Sequence, residues 1–334
     1  MNWLERSWYN KGVLSYLLLP LMLVFWLLST LRLFAFKIGL KQQQSFLAPV
    51  IVVGNITVGG TGKTPFVVYL VNLLQNMGYK PGIVSRGYGA KADNNIPFPR
   101  LVSAQSDVHI SGDEPKLLAM KTSVPVVIDP NRSNAVRFLE QQTDCDIVIS
   151  DDGLQHYQMS RDMEIVLLDE QRGLGNGWLL PVGPLREPST RLQSVDLVIS
   201  NAGTVNNNTN KDYSLSATTP YQLNSPSKKL EAQKVQLISG IGNPQRFYDS
   251  ITSLGFEVDS VNWLPDHHAF SAADFAHFSN DQIIVMTEKD AVKCIDLVNP
   301  EQCKNWYVLP ISAIISKPIE QQIINHIQQI TKRQ

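Results

Sequence analysis

The stretch that most constrains this chain is an apolar strand running into a glycine-rich loop and then a helical pattern: IVVGN, then Thr57, Val58, Gly59, Gly60, Thr61, Gly62, Lys63 and Thr64, then PFVVYLVNLLQNMG. It is nearly GxxxxGK[ST], with Thr57 in place of the first glycine, and a strand before and a helix after are the context that motif needs. Gly59, Gly60 and Gly62 let the backbone curl until successive N–H groups point inward at phosphate oxygens. The N-terminus of the following helix adds its positive end. Lys63 is placed to reach the β- and γ-phosphates of a nucleoside triphosphate, and Thr64 to ligate Mg²⁺. An incidental glycine-rich turn would not need both flanking elements.

Around this loop, short apolar runs alternate with helical stretches. PVIVVGNITV, GIVS, VPVVI, DIVIS, MEIVLLD and VDLVIS read as strands, with helices over EPKLLAMK and RSNAVRFLEQQ between some of them. Strands apolar on both faces and separated by helices indicate a mostly parallel sheet covered on both sides. The fold class is therefore α/β: a P-loop NTPase-like sheet domain, followed by a smaller α/β domain built from KVQLISGI, FEVDSV, QIIVMTEKD and WYVLPI. Between them, the Asn-, Thr- and Ser-rich composition after Asn201 reads as a linker or hinge. The expected division is 1–40 for an N-terminal membrane helix, 41–205 for the P-loop domain, 206–230 for the hinge, 231–310 for the smaller domain and 311–334 for a C-terminal helix.

The membrane helix is expected from VLSYLLLPLMLVFWLLSTL, Val13 to Leu31, which carries no charge. At a rise of ~1.5 Å per residue this run approaches the ~30 Å hydrocarbon core of a bilayer, and membrane helices tolerate a kink such as Pro20 would give. A cleaved signal peptide fits poorly, since no small-residue cleavage site precedes Arg32. A buried soluble helix would normally keep a polar stripe. Arg32, Lys37 and Lys41 follow the run, against Arg6 and Lys11 beside Glu5 before it, a slight bias that puts the long C-terminal part in the cytoplasm. Both a spanning helix and one lying in a single leaflet satisfy these observations.

A net charge of −1 offers no basic excess for nucleic-acid binding. The three cysteines, Cys145, Cys294 and Cys303, form no CxxC pair, and their odd number argues against a disulfide framework and for a reducing compartment.

Other chemistry-bearing residues cluster at strand ends. Asp151 and Asp152 close the DIVIS strand, where a carboxylate completes Mg²⁺ coordination in P-loop enzymes; Gln155 and His156 follow within a turn. Arg86 in SRGYG and Arg132 in DPNR also follow strands, on the side where open α/β sheets bind ligands. Asp113 in GDEP opens a helix and, from local sequence alone, reads as a first-turn acid.

The ordered set GNITVGGTGKTP, SRGYG, GDEP, DPNR, DDGLQH, LLPVGPLREP, PDHHAF and MTEKDAVK closely resembles the tetraacyldisaccharide 4′-kinase family, over essentially the whole chain. The resemblance implies transfer of the ATP γ-phosphate to the 4′-hydroxyl of a tetraacylated glucosamine disaccharide 1-phosphate, with ATP and Mg²⁺, at the cytoplasmic face of the bacterial inner membrane. It implies two α/β domains with the site between them. By motif, Asp113 matches the acid that activates the acceptor hydroxyl and the pair His267 and His268 matches its histidine partner, without deciding between the two. Arg132, Asp151, Asp152, Gln155, His156 and Glu187 match further site positions, Glu187 being a metal candidate beside Thr64 and the two aspartates. Family loops also carry the non-glycine first position seen at Thr57. The expected partner is the lipid disaccharide in the membrane, with no nucleic acid, and the chain is expected to be a monomer. The rival reading is a membrane-anchored P-loop ATPase or switch that drives a partner, which would share the loop and the strand-end acid.

Overall fold

The computed structural model describes residues 7–9, 13–91, 96–204, 212–276, 278–279, 281–295, 297 and 303–332. Arg6, Lys11 and the Asn/Thr-rich residues 205–211 lie outside the described residues.

In chain order the helices are α1 (Val13–Leu17), α2 (Leu19–Lys37), α3 (Lys63–Asn76), α4 (Val108–Ser111), α5 (Asp113–Lys121), α6 (Arg132–Gln142), α7 (Pro244–Ser253), α8 (Ala272–Phe275), α9 (Glu288–Cys294) and α10 (Lys317–Thr331). The first sheet uses β1 (Val50–Gly54), β2 (Pro81–Ser85), β3 (Arg100–Val102), β4 (Val126–Ile128), β5 (Ile147–Asp151), β6 (Met163–Asp169), β7 (Leu197–Thr204) and β8 (Tyr213–Ala217). The second uses β9 (Tyr221–Gln222), β10 (Ser225–Lys229), β11 (Lys234–Ser239), β12 (Glu257–Trp263), β13 (Ile284–Thr287) and β14 (Trp306–Leu309), and β15 (Ile311–Ile315) then returns to the first.

The first sheet runs β15-β8-β7-β6-β1-β5-β2-β4-β3, parallel except at its two edge strands. Strand β1 sits at its centre and alternates between two buried layers. Ile51 and Val53 face α3 and α10, whereas Val50 and Val52 face α6. Such two-sided burial explains why the strand is an unbroken apolar run rather than an alternating one. Helix α10 places Ile319, Ile323, Ile327 and Ile330, at helical spacing, in the first of these layers. The C-terminal segment 311–334 is thus part of the first unit through both β15 and α10.

The second sheet runs β10-β9-β14-β13-β11-β12 and has its own apolar cores, around Phe275, Met286 and Trp306 on one face and Leu237, Ile251 and Val285 on the other. The described part of the expected hinge, 206–230, is largely strand: β8 belongs to the first sheet, β9 and β10 to the second. The units are joined instead by a two-stranded ribbon. Ala217 pairs with Ile311 in one sheet, Tyr221 with Val308 in the other, and Thr218 N–H donates to the Pro310 carbonyl between them at 3.2 Å. Polar side chains suit this surface ribbon, which is why composition disguised it as a linker.

Helix α2 lies along the first unit. Met22 and Phe25 pack against the layer beneath α6, and Phe36 meets the Tyr157 ring at 6.3 Å between centroids. Its other faces leave Leu21, Leu23, Val24, Leu27, Leu28, Leu31 and Phe34 more than half exposed. A contiguous apolar face of this extent marks an interaction surface.

Candidate active site

The C-terminal ends of β1, β2, β4, β5 and β6 open into one cleft of ≈ 1010 Å³, walled by the second unit opposite and by α2 along one side. Ligands bind at this end of open parallel sheets because the strand-to-helix loops converge there.

From β1 the chain enters the glycine-rich loop. Gly59 and Gly62 have φ of 114° and 84°, values that a side chain disfavours. Asn55 Nδ2 donates to the Thr57 carbonyl at 2.7 Å, and the loop is bracketed by Val58 N–H to Pro184 O at 2.9 Å and Arg186 N–H to Ile56 O at 2.7 Å. Two further donors hold its far end: Asn201 Nδ2 to Thr61 O at 2.8 Å and the Tyr213 hydroxyl to Gly62 O at 2.7 Å. Carbonyls are thereby tied outward, which frees the opposing N–H groups for an anion. A methyl at Gly62 would lie 2.5 Å from Asn201 Nδ2. Asn201 and Tyr213 carried no local signal in the sequence; they reach the loop only through the neighbouring strands β7 and β8.

Lys63 opens α3 and donates to Asn55 Oδ1 at 3.2 Å, while its Nζ lies 3.4 Å from Asp152 Oδ1. Asp152, at a φ of 49°, also receives Arg186 Nη1 at 3.0 Å, and Arg132 Nη2 donates to its carbonyl at 2.7 Å. Burial alone would raise the Asp152 pKa, but Lys63, Arg186 and Arg132 together hold it well below the usual carboxylate range. Asp151, one residue earlier and still on β5, behaves oppositely. Burial first, then the charges of Glu114 and Asp152, push it up to about 7, against Lys63 and Arg132. Its Oδ1 is buried without a hydrogen-bond partner.

An orphaned carboxylate oxygen beside a phosphate loop is a place that a divalent cation fits, and Thr64 lines the same cleft. Among the described residues no group of three or more His, Cys, Asp or Glu side chains converges for a metal. That agrees with Mg²⁺ chemistry, in which one or two carboxylates share the ion with substrate phosphates and water. Glu187 lines the same cleft, and its carboxylate is held by three side chains. Gln155 Nε2 donates to Oε1 at 2.7 Å, the Tyr157 hydroxyl donates to Oε2, and Arg191 Nε lies 3.3 Å from Oε2. Glu187 thereby holds Gln155, which also donates to the Asn55 carbonyl at 3.2 Å.

His156 is pushed down to about 4, by burial first and then by the surrounding Arg132, Arg161, Arg32 and Arg86. Its imidazole is neutral at neutral pH, with a buried Nε2 that has no partner. Arg86, after β2, is exposed and lines the cleft.

Opposite the loop, the two units meet at the acid singled out in GDEP. Asp113 is only 7% exposed, and its Oδ2 lies 3.0 Å from His267 Nδ1, on the second unit. His268 instead faces away, with Nε2 3.1 Å from Asp274 Oδ1. The left-handed φ of 59° at His267 is the local reason that the two neighbours part. Burial of Asp113 opposes its ionisation, but the His267 hydrogen bond and the charges of Lys289, His267 and Lys293 outweigh it, so its pKa is lowered. The same hydrogen bond raises His267, against partial burial and Lys289. Three contacts frame the pair: Lys289 Nζ to Glu114 Oε1 at 3.0 Å, Lys121 Nζ to Glu288 Oε1 at 2.7 Å and the Tyr88 ring 5.0 Å from that of His267.

With a phosphate loop, a strand-end acid pair and a cross-unit Asp–His pair assembled, the comparisons with known proteins decide the family. The model of the tetraacyldisaccharide-1-P 4′-kinase family matches residues 14–328. The chain belongs to that family. A tetraacyldisaccharide 4′-kinase of Psychromonas ingrahamii is 44% identical over 339 residues, covering 97% of this chain and 98% of that protein. One from Actinobacillus succinogenes is 42% identical over 330 residues, covering 98% of each. Among solved structures, LpxK of Aquifex aeolicus in complex with ATP superposes with a TM-score of 0.75 at 27% identity, over 95% of this chain and 99% of that one. The tetraacyldisaccharide 4′-kinase fold therefore accounts for both units and the ribbon between them, in agreement with the α/β class expected from sequence.

Proposed function

We propose that this kinase transfers the γ-phosphoryl group of ATP to the 4′-hydroxyl of a tetraacylated disaccharide 1-phosphate, a step of lipid A biosynthesis. The observation that carries the reading is the Asp113–His267 contact at 3.0 Å, with His267 lining the same cleft as the Lys63 loop. A sugar hydroxyl is a poor nucleophile at neutral pH, and a positioned carboxylate that takes its proton in the transition state accelerates attack by ~10²–10⁴-fold. Asp113 is that carboxylate, held ionised and oriented by His267. The attacking oxygen forms its bond to the γ-phosphorus as the bond to the ADP oxygen breaks, and the hydroxyl proton passes to Asp113. Lys63, Arg132 and the loop N–H groups spread the charge of the transferring group. Asp151, Asp152 and Thr64 would hold Mg²⁺, which when bound neutralises β- and γ-phosphate charge.

A bare ATPase or switch needs no carboxylate proton acceptor held by a histidine from a second unit, so the cross-unit pair favours the phosphotransferase. All of these side chains come from one chain, which supports action as a monomer. The exposed apolar face of α2 supports membrane association: each large side chain it removes from water contributes ~1.5–3 kcal/mol. The same helix lines the cleft with Phe25, Ser29, Arg32 and Leu33, which puts an acylated acceptor beside the nucleotide site. Docking along the first unit favours a helix lying in the leaflet that faces the cytoplasm, where ATP is, over one that leaves the unit to cross the bilayer.

The test is a phosphotransfer assay with purified protein, labelled ATP and the lipid disaccharide presented in micelles. Label on the lipid supports the reading, and ATP hydrolysis indifferent to the lipid overturns it.

A further inference from the structure

Lys289 stands at the first turn of α9, on the second unit, and its surroundings are unlike those of a surface lysine. Its side chain is one-fifth exposed; Nζ donates to Glu114 Oε1 at 3.0 Å and lies 3.3 Å from His267 Nε2. His267 thus has a partner on each ring nitrogen, Asp113 Oδ2 at Nδ1 and Lys289 Nζ at Nε2. An ammonium has three donors and no acceptor, and a carboxylate only accepts. The one neutral imidazole that satisfies both neighbours carries its proton on Nδ1 and its lone pair on Nε2.

We propose that Lys289 is a positioning residue for the Asp113–His267 pair: by donating to Nε2 it fixes the tautomer whose Nδ1–H points at Asp113, and so leaves Asp113 as the only proton acceptor of the two. This rests on the reading of Asp113 as the acceptor of the hydroxyl proton. With Nδ1 already protonated, the nitrogen that faces Asp113 has no lone pair to take that proton directly; His267 orients the carboxylate and stabilises it by one hydrogen bond. The proton removed from the acceptor hydroxyl therefore ends the chemical step on Asp113.

The groups facing His267 come from four elements. Asp113 on α5 and Asp266 on its own loop favour its protonated form, Lys289 on α9 opposes it, and the uncharged Tyr88 ring packs on it from the loop after β2. Lys289 keeps its own proton: burial lowers its pKa, but Glu114, Asp113 and Asp266 outweigh burial and hold it above the ordinary lysine value. Removing this cation takes away a charge that opposes imidazolium, so the pKa of His267 moves up and a larger share of the enzyme carries His267 doubly protonated at neutral pH. A doubly protonated His267 makes Asp113 a weaker base.

The experiment compares the pH dependence of kcat for full-length wild type, Lys289→Met, Lys289→Arg, Glu114→Gln and Asp113→Ala, with KM for ATP measured alongside. Lys289→Met is expected to move the acid-side inflection to higher pH and to lower kcat at neutral pH by about 10-fold, a fraction of what a positioned base supplies, with KM for ATP within about two-fold. Lys289→Arg should restore much of the loss. Glu114→Gln loosens the same cross-unit ion pair yet leaves the cation on His267, so a role confined to docking the units would make it mimic Lys289→Met, whereas positioning leaves its inflection near wild type. A Lys289→Met profile with an unmoved inflection, or a loss confined to KM, overturns the assignment. Asp113→Ala separates the two levels: wild-type kcat in that variant would sink the proton-acceptor reading itself, while a collapsed kcat there with an unmoved Lys289→Met profile sinks only the role of Lys289. Histidine ¹⁵N spectra of the wild type give an independent readout, with a protonated Nδ1 and an unprotonated Nε2 expected at His267, and the opposite tautomer contradicting it.

Discussion

His267 Nδ1 lies 3.0 Å from Asp113 Oδ2 although 154 residues separate them and they belong to different units. Neither side chain can do this work within its own unit. The pair exists only while the two-stranded ribbon holds the second unit over the cleft.

Asp113→Ala should therefore lower kcat by about 10²-fold or more, the range for a positioned base, with little change in ATP affinity. His267→Ala should show the same pattern more mildly, and the double variant should lose little more than Asp113→Ala alone. Such non-additivity is the signature of residues acting as a unit. Fully additive losses in steady-state kinetics would separate the two roles. His268→Ala, whose ring is turned to Asp274, should leave kcat near wild type.

The same pair makes stability depend on pH. His267 has its pKa raised above 6.5, so its contribution is complete below 6.5 and is lost as pH rises through the folded value. Asp113 has its pKa lowered below 3.8, so its contribution is complete above 3.8 and is lost as pH falls through the folded value. The pair thus stabilises most between these limits. In thermal melts the Tm deficit of His267→Ala should be largest near pH 5–6 and shrink toward pH 9; a deficit that grows with pH would contradict the ion-pair geometry.

Lys63→Ala should abolish transfer, by about 10²-fold or more on the scale of one lost electrostatic stabiliser, while circular dichroism stays native. Lys63 contacts Asn55 and Asp152 at the cleft surface and fills no core position. Turnover near wild type would remove the loop from the phosphate site.

Tyr213→Phe tests the cradle from behind. It leaves the Gly62 carbonyl with only the longer Phe66 N–H bond at 3.4 Å, a loss of about 1 kcal/mol, which weakens ATP binding by roughly five-fold if it falls on the bound state. Calorimetry reads this directly, and unchanged affinity would mean that the loop needs no such tether.

Leu21→Glu with Leu28→Glu probes the membrane face of α2. Both residues are more than half exposed and neither lines the cleft, so ATP binding should survive while sedimentation with phospholipid vesicles falls at least ~10-fold, since placing a charge in the bilayer costs a few kcal/mol. Undiminished sedimentation would locate the membrane contact elsewhere.

The phosphate side of the site was readable because it is local. One strand, one loop and one helix contain every residue from Val50 to Thr64, and periodicity reveals all three. The motif set also brought Asp113 and the two histidines together, but the choice of His267 needed a backbone angle that composition does not carry. Asn201 and Tyr213 escaped notice because they act through strand pairing 140 and 151 residues from the carbonyls they hold. The ribbon was misread as a hinge for the same reason: β8 and β15 are defined by pairing with each other, Ile311 opposite Ala217, rather than by an apolar run. Glu187 is a metal candidate by motif alone, and the three side chains that hold its carboxylate were not legible in the sequence.

The most direct measurement is transfer of label from γ-labelled ATP with Mg²⁺ in the presence and absence of the tetraacylated disaccharide 1-phosphate, for wild type and Asp113→Ala. Wild type should be nearly silent with ATP alone and should place label on the lipid 4′-position once the disaccharide is added, with that transfer lost in Asp113→Ala. Equal ATP turnover with and without the lipid, or full transfer by Asp113→Ala, would contradict a cross-unit proton acceptor serving a lipid hydroxyl.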